Sequence, residues 1–220
     1  MGGFNLNQVM QGIAVGAIPV LFAITLHEVA HGRTARYFGD HTAEMMGRLS
    51  LNPIKHIDPV GTVLVPIVLF MMGGIMFGWA KPVPVAFGGL NNPKRDMIFV
   101  AAAGPAANIV MGVGWALLLK LVIMTGLGAG MAGEFLFSMA RIGIIINALL
   151  AAFNLLPIPP LDGGRVLRGL VNETIGQYLD RIEPFGLIII VVMLVSGLLW
   201  TVVGPLLALV ESLILLVVGL

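Results

Sequence analysis

The sequence predicts an all-α polytopic membrane protein with about four to five transmembrane helices and a re-entrant hairpin bearing short extended strands. Three observations lead there. Mean hydropathy is +1.01 and 10% of residues are charged, whereas soluble domains carry about a quarter. Apolar runs of about 20 residues, enough to cross a bilayer, recur along the 220 residues. The spans leave no room for a separate soluble domain, so residues 1–220 are expected to form one integral-membrane domain. A net charge of +1, with basic residues scattered between apolar runs, excludes a nucleic-acid partner.

The first span is expected over 9–38. No basic residue precedes Arg33, so the N-terminus lacks the positive region of a secretory leader and residues 1–38 should remain as the first helix. Residues 60–79 are ambiguous. They contain Pro66, Gly73, Gly74 and Gly78, and Lys81-Pro82-Val83-Pro84-Val85 follows as extended chain. Further spans are expected over 97–124 and 135–155. The run 185–220 is long enough for a helical hairpin broken near Gly204-Pro205.

Charge decides how residues 60–85 behave, because Lys and Arg favour cytoplasmic loops. If this segment enters and returns on one side, every Lys and Arg except Lys120 and Arg141 falls on that side. A full crossing would move half of the chain's basic residues outside. The hairpin is therefore expected, with the N-terminus outside and most loops in the cytoplasm.

Chemistry enters at residues 27–31, His-Glu-Val-Ala-His. On a helix, His27 and His31 project about 40° apart, so both imidazoles can reach one ion. Glu28 lies beside them, within reach of the water such an ion activates. This is half of a zinc-hydrolase site, and ionisable groups in an apolar span are costly unless paired, coordinated or hydrated. The chain has no cysteine, so disulfides are excluded and a metal must be held by His, Asp, Glu and water.

A zinc hydrolase usually has three protein ligands, and Asp162 is the candidate for the third. It lies in the run Asn154-Leu-Leu-Pro-Ile-Pro-Pro-Leu-Asp162-Gly-Gly, where Pro157, Pro159 and Pro160 interrupt a span. Irregular backbone at membrane depth is tolerated where protein or a water-filled cavity covers it. Ligand atoms lie about 2 Å from zinc while the bilayer faces are about 30 Å apart. The ends of the first and third spans must then share a side, which again makes 60–85 a hairpin. His27 is expected about 13 Å below the cytoplasmic end of its helix. An alternative stays open, in which Asp162 caps a helix over Arg165–Leu170.

His27-Glu-Val-Ala-His31, Ala103-Gly-Pro-Ala-Ala-Asn108, and Asn154 with Pro157, Pro160 and Asp162-Gly163 together resemble the site-2 protease family of intramembrane zinc metalloproteases. The resemblance covers about residues 20–172, including the looser Gly47–Asp58 stretch and Lys81-Pro-Val-Pro84. It implies Zn2+ held by His27, His31 and Asp162, with Glu28 as catalytic base and Asn154 as a polar helper near the reacting carbonyl. It also implies hydrolysis of peptide bonds within or near the transmembrane segments of membrane-protein substrates. A catalytic core over about 8–172 and a C-terminal helical hairpin over about 185–220 are expected. The chain is expected in the cytoplasmic membrane of a prokaryote, with its active site toward the cytoplasm. Unlike larger members it has no room for a PDZ domain between the catalytic helices or a nucleotide-sensing domain at its end, so regulation by those modules is not expected.

Several residues keep two readings. Lys81, Pro82, Val83, Pro84 and Val85 offer either an edge for pairing an unwound substrate chain or a plain connection. Asn108 is expected to pack or to bond between helices. His41 and His56, in the polar loop 39–59 with Asp58, are expected to be solvated rather than a second metal site. The alternative function is a non-catalytic metal-binding protein or a metal transporter. A transporter needs polar residues on several spans, whereas 185–220 carries a single ionisable group in its apolar part, Glu211.

Overall fold

Among the described residues, four helices are long and apolar enough to cross a bilayer: Ala14–Tyr37, Pro93–Thr125, Met131–Asn154 and Leu198–Val218. The computed structural model describes residues 6–64, 81–128 and 130–220. The chain is a multi-pass membrane protein, and its helical order follows the distribution of apolar runs and breakers.

Helix α1 (Leu6–Tyr37) ends where Gly39 takes φ +103°, a conformation that L side chains rarely adopt. A short helix α2 (Thr42–Met45) and a 3-10 turn (Pro53–His56) follow. The next turn, Pro59–Leu64, opens with Asp58 Oδ1 accepting the N–H groups of Val60 and Gly61 at 2.9 and 2.7 Å. Helix α3 (Pro93–Thr125) starts with proline in its first turn and stops at Gly126, which is left-handed. Helix α4 (Met131–Asn154) then runs into the proline-rich break. Beyond it come α5 (Asp162–Leu170), α6 (Glu173–Ile182), α7 (Gly186–Val195) and α8 (Leu198–Val218).

Helix α3 is central and touches α1, α4, α5 and α8. Small residues allow these approaches. A Cβ on Gly143 would lie 2.3 Å from the Trp115 ring, and one on Gly112 would lie 2.6 Å from Ile214 Cδ1. Ala116, Ala140, Ile144, Ala148 and Ile214 pack together where α3, α4 and α8 meet. Leu156 and Leu161, from the break, pack on Ile190, Leu199 and Val203 of α7 and α8.

Two expectations are corrected. Among the described residues there is no strand, and Lys81-Pro82-Val83-Pro84-Val85 is irregular. The two prolines have no N–H to contribute to a ladder, and the Lys81 and Val83 amides are engaged by His56 O and Glu28. The expected turn-back itself falls mainly on 65–80, outside the described residues. The C-terminal run breaks at Gly197, with φ +78°, rather than at Gly204-Pro205, which lies inside α8. Helix α7 has 10 residues, about 15 Å of rise, and is too short to cross.

Candidate metal centre

His27 and His31 sit one turn apart on α1, both 8% exposed, with ring centroids 4.6 Å apart and nearly perpendicular. Their Nε2 atoms are 3.0 Å apart. Asp162 Oδ2 lies 3.3 Å from each of them. Among the described residues, this is the one group of three or more His, Asp or Glu side chains whose ligand atoms converge.

Asp162 arrives there because the chain folds sharply after α4. Leu156 is 1% exposed, Ile158 N–H donates to Leu156 O, and Leu161 N–H donates to Ile158 O. Helix α5 then turns back against the break. A Cβ on Gly163 would stand 2.3 Å from Leu155 O, and one on Gly164 would stand 2.5 Å from Pro159 N, so two successive glycines are required. The capping alternative is not realised: Leu161 is the N-cap and no side chain caps α5. Asp162 Oδ2 is buried with no hydrogen-bond donor.

Hydrogen bonding fixes which nitrogen of each histidine carries its proton. His31 Nδ1 is 2.7 Å from Val100 O, which can only accept, so Nδ1–H donates. Asn108 Nδ2 donates to Ala23 O at 3.2 Å and to Asn147 Oδ1 at 2.9 Å. The Asn108 oxygen therefore faces His27 Nδ1 at 2.6 Å and accepts its proton. Asn147 Nδ2 in turn donates to Gly143 O at 2.8 Å. Both Nε2 lone pairs are left pointing at the Asp162 oxygen.

Three lone-pair atoms held 3.0 to 3.3 Å apart suit a single small cation. With metal–ligand distances of about 2.0–2.1 Å, the edge of a tetrahedral site is about 3.3 Å. Neutral imidazole and carboxylate are donors that zinc accepts. The orphaned Asp162 oxygen and the enforced tautomers make the same fit.

Comparison with known proteins points to a zinc-dependent family. Residues 122–197 match the family model described as "Peptidase family M50". "Putative zinc metalloprotease YwhC" of Bacillus subtilis (strain 168) is 39% identical over 194 residues, covering 86% of this chain and 84% of that one. The chain belongs to peptidase family M50, the site-2 proteases. "Putative zinc metalloprotease Rip2" of Mycolicibacterium smegmatis is 34% identical over 178 residues, covering 80% of this chain and 64% of its own length. "Zinc metalloprotease MJ0392" of Methanocaldococcus jannaschii is 24% identical over 190 residues and is covered over 43% of its length. No solved structure matches. Membership of family M50 implies zinc, and the residues present fit it.

Other expected residues of this M50 chain are placed as follows. Glu28 Oε2 accepts the Val83 N–H at 2.6 Å. Asn154 ends α4 and donates Nδ2 to Leu150 O of its own helix at 3.0 Å. His41 is exposed and paired with Glu44 at 3.0 Å. His56, expected to be solvated, is 2% exposed and donates Nε2–H to Ser50 O at 2.8 Å. Two features escaped the sequence reading. Asn108, expected only to pack or bond between helices, orients His27. Gly104 forms the floor of the site, since a Cβ there would lie 2.3 Å from His31 Nε2 and 2.6 Å from His27 Cε1. Both belong to Ala103–Asn108, and the signal available was a fully polar side chain within an apolar span.

Proposed function

We propose that this chain is an intramembrane zinc endopeptidase that hydrolyses peptide bonds within or near transmembrane segments of membrane-protein substrates. The observation that carries the reading is the convergence of His27 Nε2, His31 Nε2 and Asp162 Oδ2 in a chain whose described residues include four membrane-length helices. Residues 1–220 act as one domain, with a core over about 8–172 and a C-terminal part over about 185–220. The active site opens toward the cytoplasm of a prokaryotic cell.

His27, His31 and Asp162 would hold the zinc. When bound, zinc supplies Lewis acidity that lowers the pKa of a coordinated water to about 7 and polarises a carbonyl. Glu28 accepts the water proton and returns it to the leaving amine, which restores the carboxylate. Asn154 turns its amide from Leu150 O to the developing oxyanion, a contribution of about 3–4 kcal/mol for one donor. Helical peptide bonds are shielded by their own hydrogen bonds, so the substrate is unwound at the cut. Lys81, Pro82, Val83, Pro84 and Val85 meet the unwound chain through the carbonyl oxygens beyond Pro82, because the Lys81 and Val83 amides and the Lys81 and Pro82 carbonyls are already engaged.

A transporter would need polar groups along several spans, and α8 has Glu211 as its one ionisable residue. The test is cleavage of a model transmembrane substrate by the purified zinc-loaded chain, with and without chelator, alongside Glu28→Gln. Cleavage that stops with chelator and in Glu28→Gln is expected. Bound zinc with no cleavage of any transmembrane substrate would select the non-catalytic alternative.

A further inference from the structure

Glu28 is gripped by a main-chain donor from a different part of the chain. The Val83 N–H donates to Glu28 Oε2 at 2.6 Å. Pro82 and Pro84 flank it and have no N–H, so this amide is the sole donor of residues 82–84. The Val83 side chain is 7% exposed and packs over Gly32, one turn after Glu28, where a Cβ would come within 2.8 Å of Val83 Cγ1.

The segment around it is tied at several points. Lys81 N–H donates to His56 O at 2.9 Å. Arg48 Nη2 donates to the carbonyls of Lys81 and Pro82 at 2.8 and 3.3 Å. Ala86 N–H donates to Asp40 Oδ2 at 2.8 Å. The amide that meets Glu28 is thus held by anchors on both sides. Among the described residues, no protein donor reaches the other carboxylate oxygen, Oε1.

We propose that the Val83 main-chain N–H is a positioning group for Glu28, anchoring Oε2 so that Oε1 stays free to take the proton of the attacking water. This rests on the reading of Glu28 as the base. The proton moves from water to Oε1 and later to the leaving amine, and the Val83 N–H is not consumed. A glutamate on a helix surface otherwise samples several rotamers, and misplacing a reacting group by about 1 Å can cost about 100-fold in rate. The two prolines keep the segment from spending this amide on a strand partner.

The test uses the full zinc-loaded chain. Val83→Pro and replacement of Val83 by its α-hydroxy acid both delete the N–H, the second without adding a ring, so it serves if the proline variant fails to fold. In both, kcat is expected to fall about 10- to 100-fold, with KM within about twofold and zinc content at the wild-type level. Val83→Ala keeps the N–H and only thins the packing over Gly32, so it is expected to lose less kcat than either N–H deletion. Wild-type kcat in the ester-containing protein, or an equal kcat loss in Val83→Ala, overturns the proposal. A readout independent of turnover is the Val83 amide proton resonance, expected downfield in the wild type and moved upfield in Glu28→Ala. An unmoved resonance also overturns it. A zinc-loaded wild type that cleaves nothing would instead overturn the proteolytic reading, and the resonance would still decide whether Val83 holds Glu28.

Discussion

His27 Nδ1 lies 2.6 Å from Oδ1 of Asn108, 81 positions further along the chain. Because the Asn108 amide nitrogen is committed to Ala23 O and Asn147, its oxygen can only accept, and His27 is held in the tautomer that frees Nε2. Partners of this kind orient metal-binding imidazoles and raise their basicity.

Replacing Asn108 by Leu should therefore weaken zinc binding by about 10- to 100-fold while leaving all three ligand side chains in place. Competition against a chromophoric chelator measures this. Wild-type affinity in Asn108→Leu would mean that the tautomer is fixed some other way.

Gly104→Ala should be damaging in a manner that an ordinary helical glycine is not. Its new Cβ would stand 2.3 Å from His31 Nε2, whereas a Cβ on Gly114 of the same helix meets nothing within 4 Å. Gly104→Ala is expected to lose zinc and thermal stability. Gly114→Ala should keep both, with a gain of up to about 1 kcal/mol from helix propensity. Zinc content and Tm of the two proteins, side by side, check the contrast.

Asp40 predicts a pH effect just beyond the C-terminal end of α1. Burial disfavours its carboxylate, but the hydroxyl and N–H of Thr42 and the N–H of Ala86 outweigh that and lower its pKa. A carboxyl whose pKa is lowered by folding stabilises fully above its unfolded value, about 3.9, and loses that contribution as pH falls through the folded value. At neutral pH, Asp40→Ala should cost about 1–3 kcal/mol. Denaturant unfolding should show the gap between wild type and variant closing below about pH 4, and a gap independent of pH would refute the assignment.

The convergence of His27, His31 and Asp162 was legible in the sequence because its signals are local. His27 and His31 share a helix face by spacing alone, and three prolines before Asp162 announce irregular backbone that needs a polar interior. Long-range hydrogen bonds leave no such periodic trace. Asn108 reaches His27 across 81 positions and Val83 reaches Glu28 across 55, so the first read as a packing or interhelical hydrogen-bonding residue with no named partner and the second as either a strand edge or a plain connection. The C-terminal break was misplaced for a related reason. Proline is tolerated inside a membrane helix when nearby groups satisfy the freed carbonyl, while the left-handed turn that stops α7 requires only the single Gly197. His56 lies in a polar loop by sequence, yet the carbonyl of Ser50 and the Lys81 amide, which donates to its own carbonyl, draw it inside.

X-ray absorption at the zinc edge, on the purified chain and on Asp162→Ala, addresses the three-residue site most directly. The wild type is expected to hold one zinc with two imidazole nitrogens and a carboxylate oxygen at about 2.0–2.2 Å, and Asp162→Ala should lose the metal or the carboxylate scatterer. Zinc retained in Asp162→Ala with an unchanged coordination shell would contradict the account.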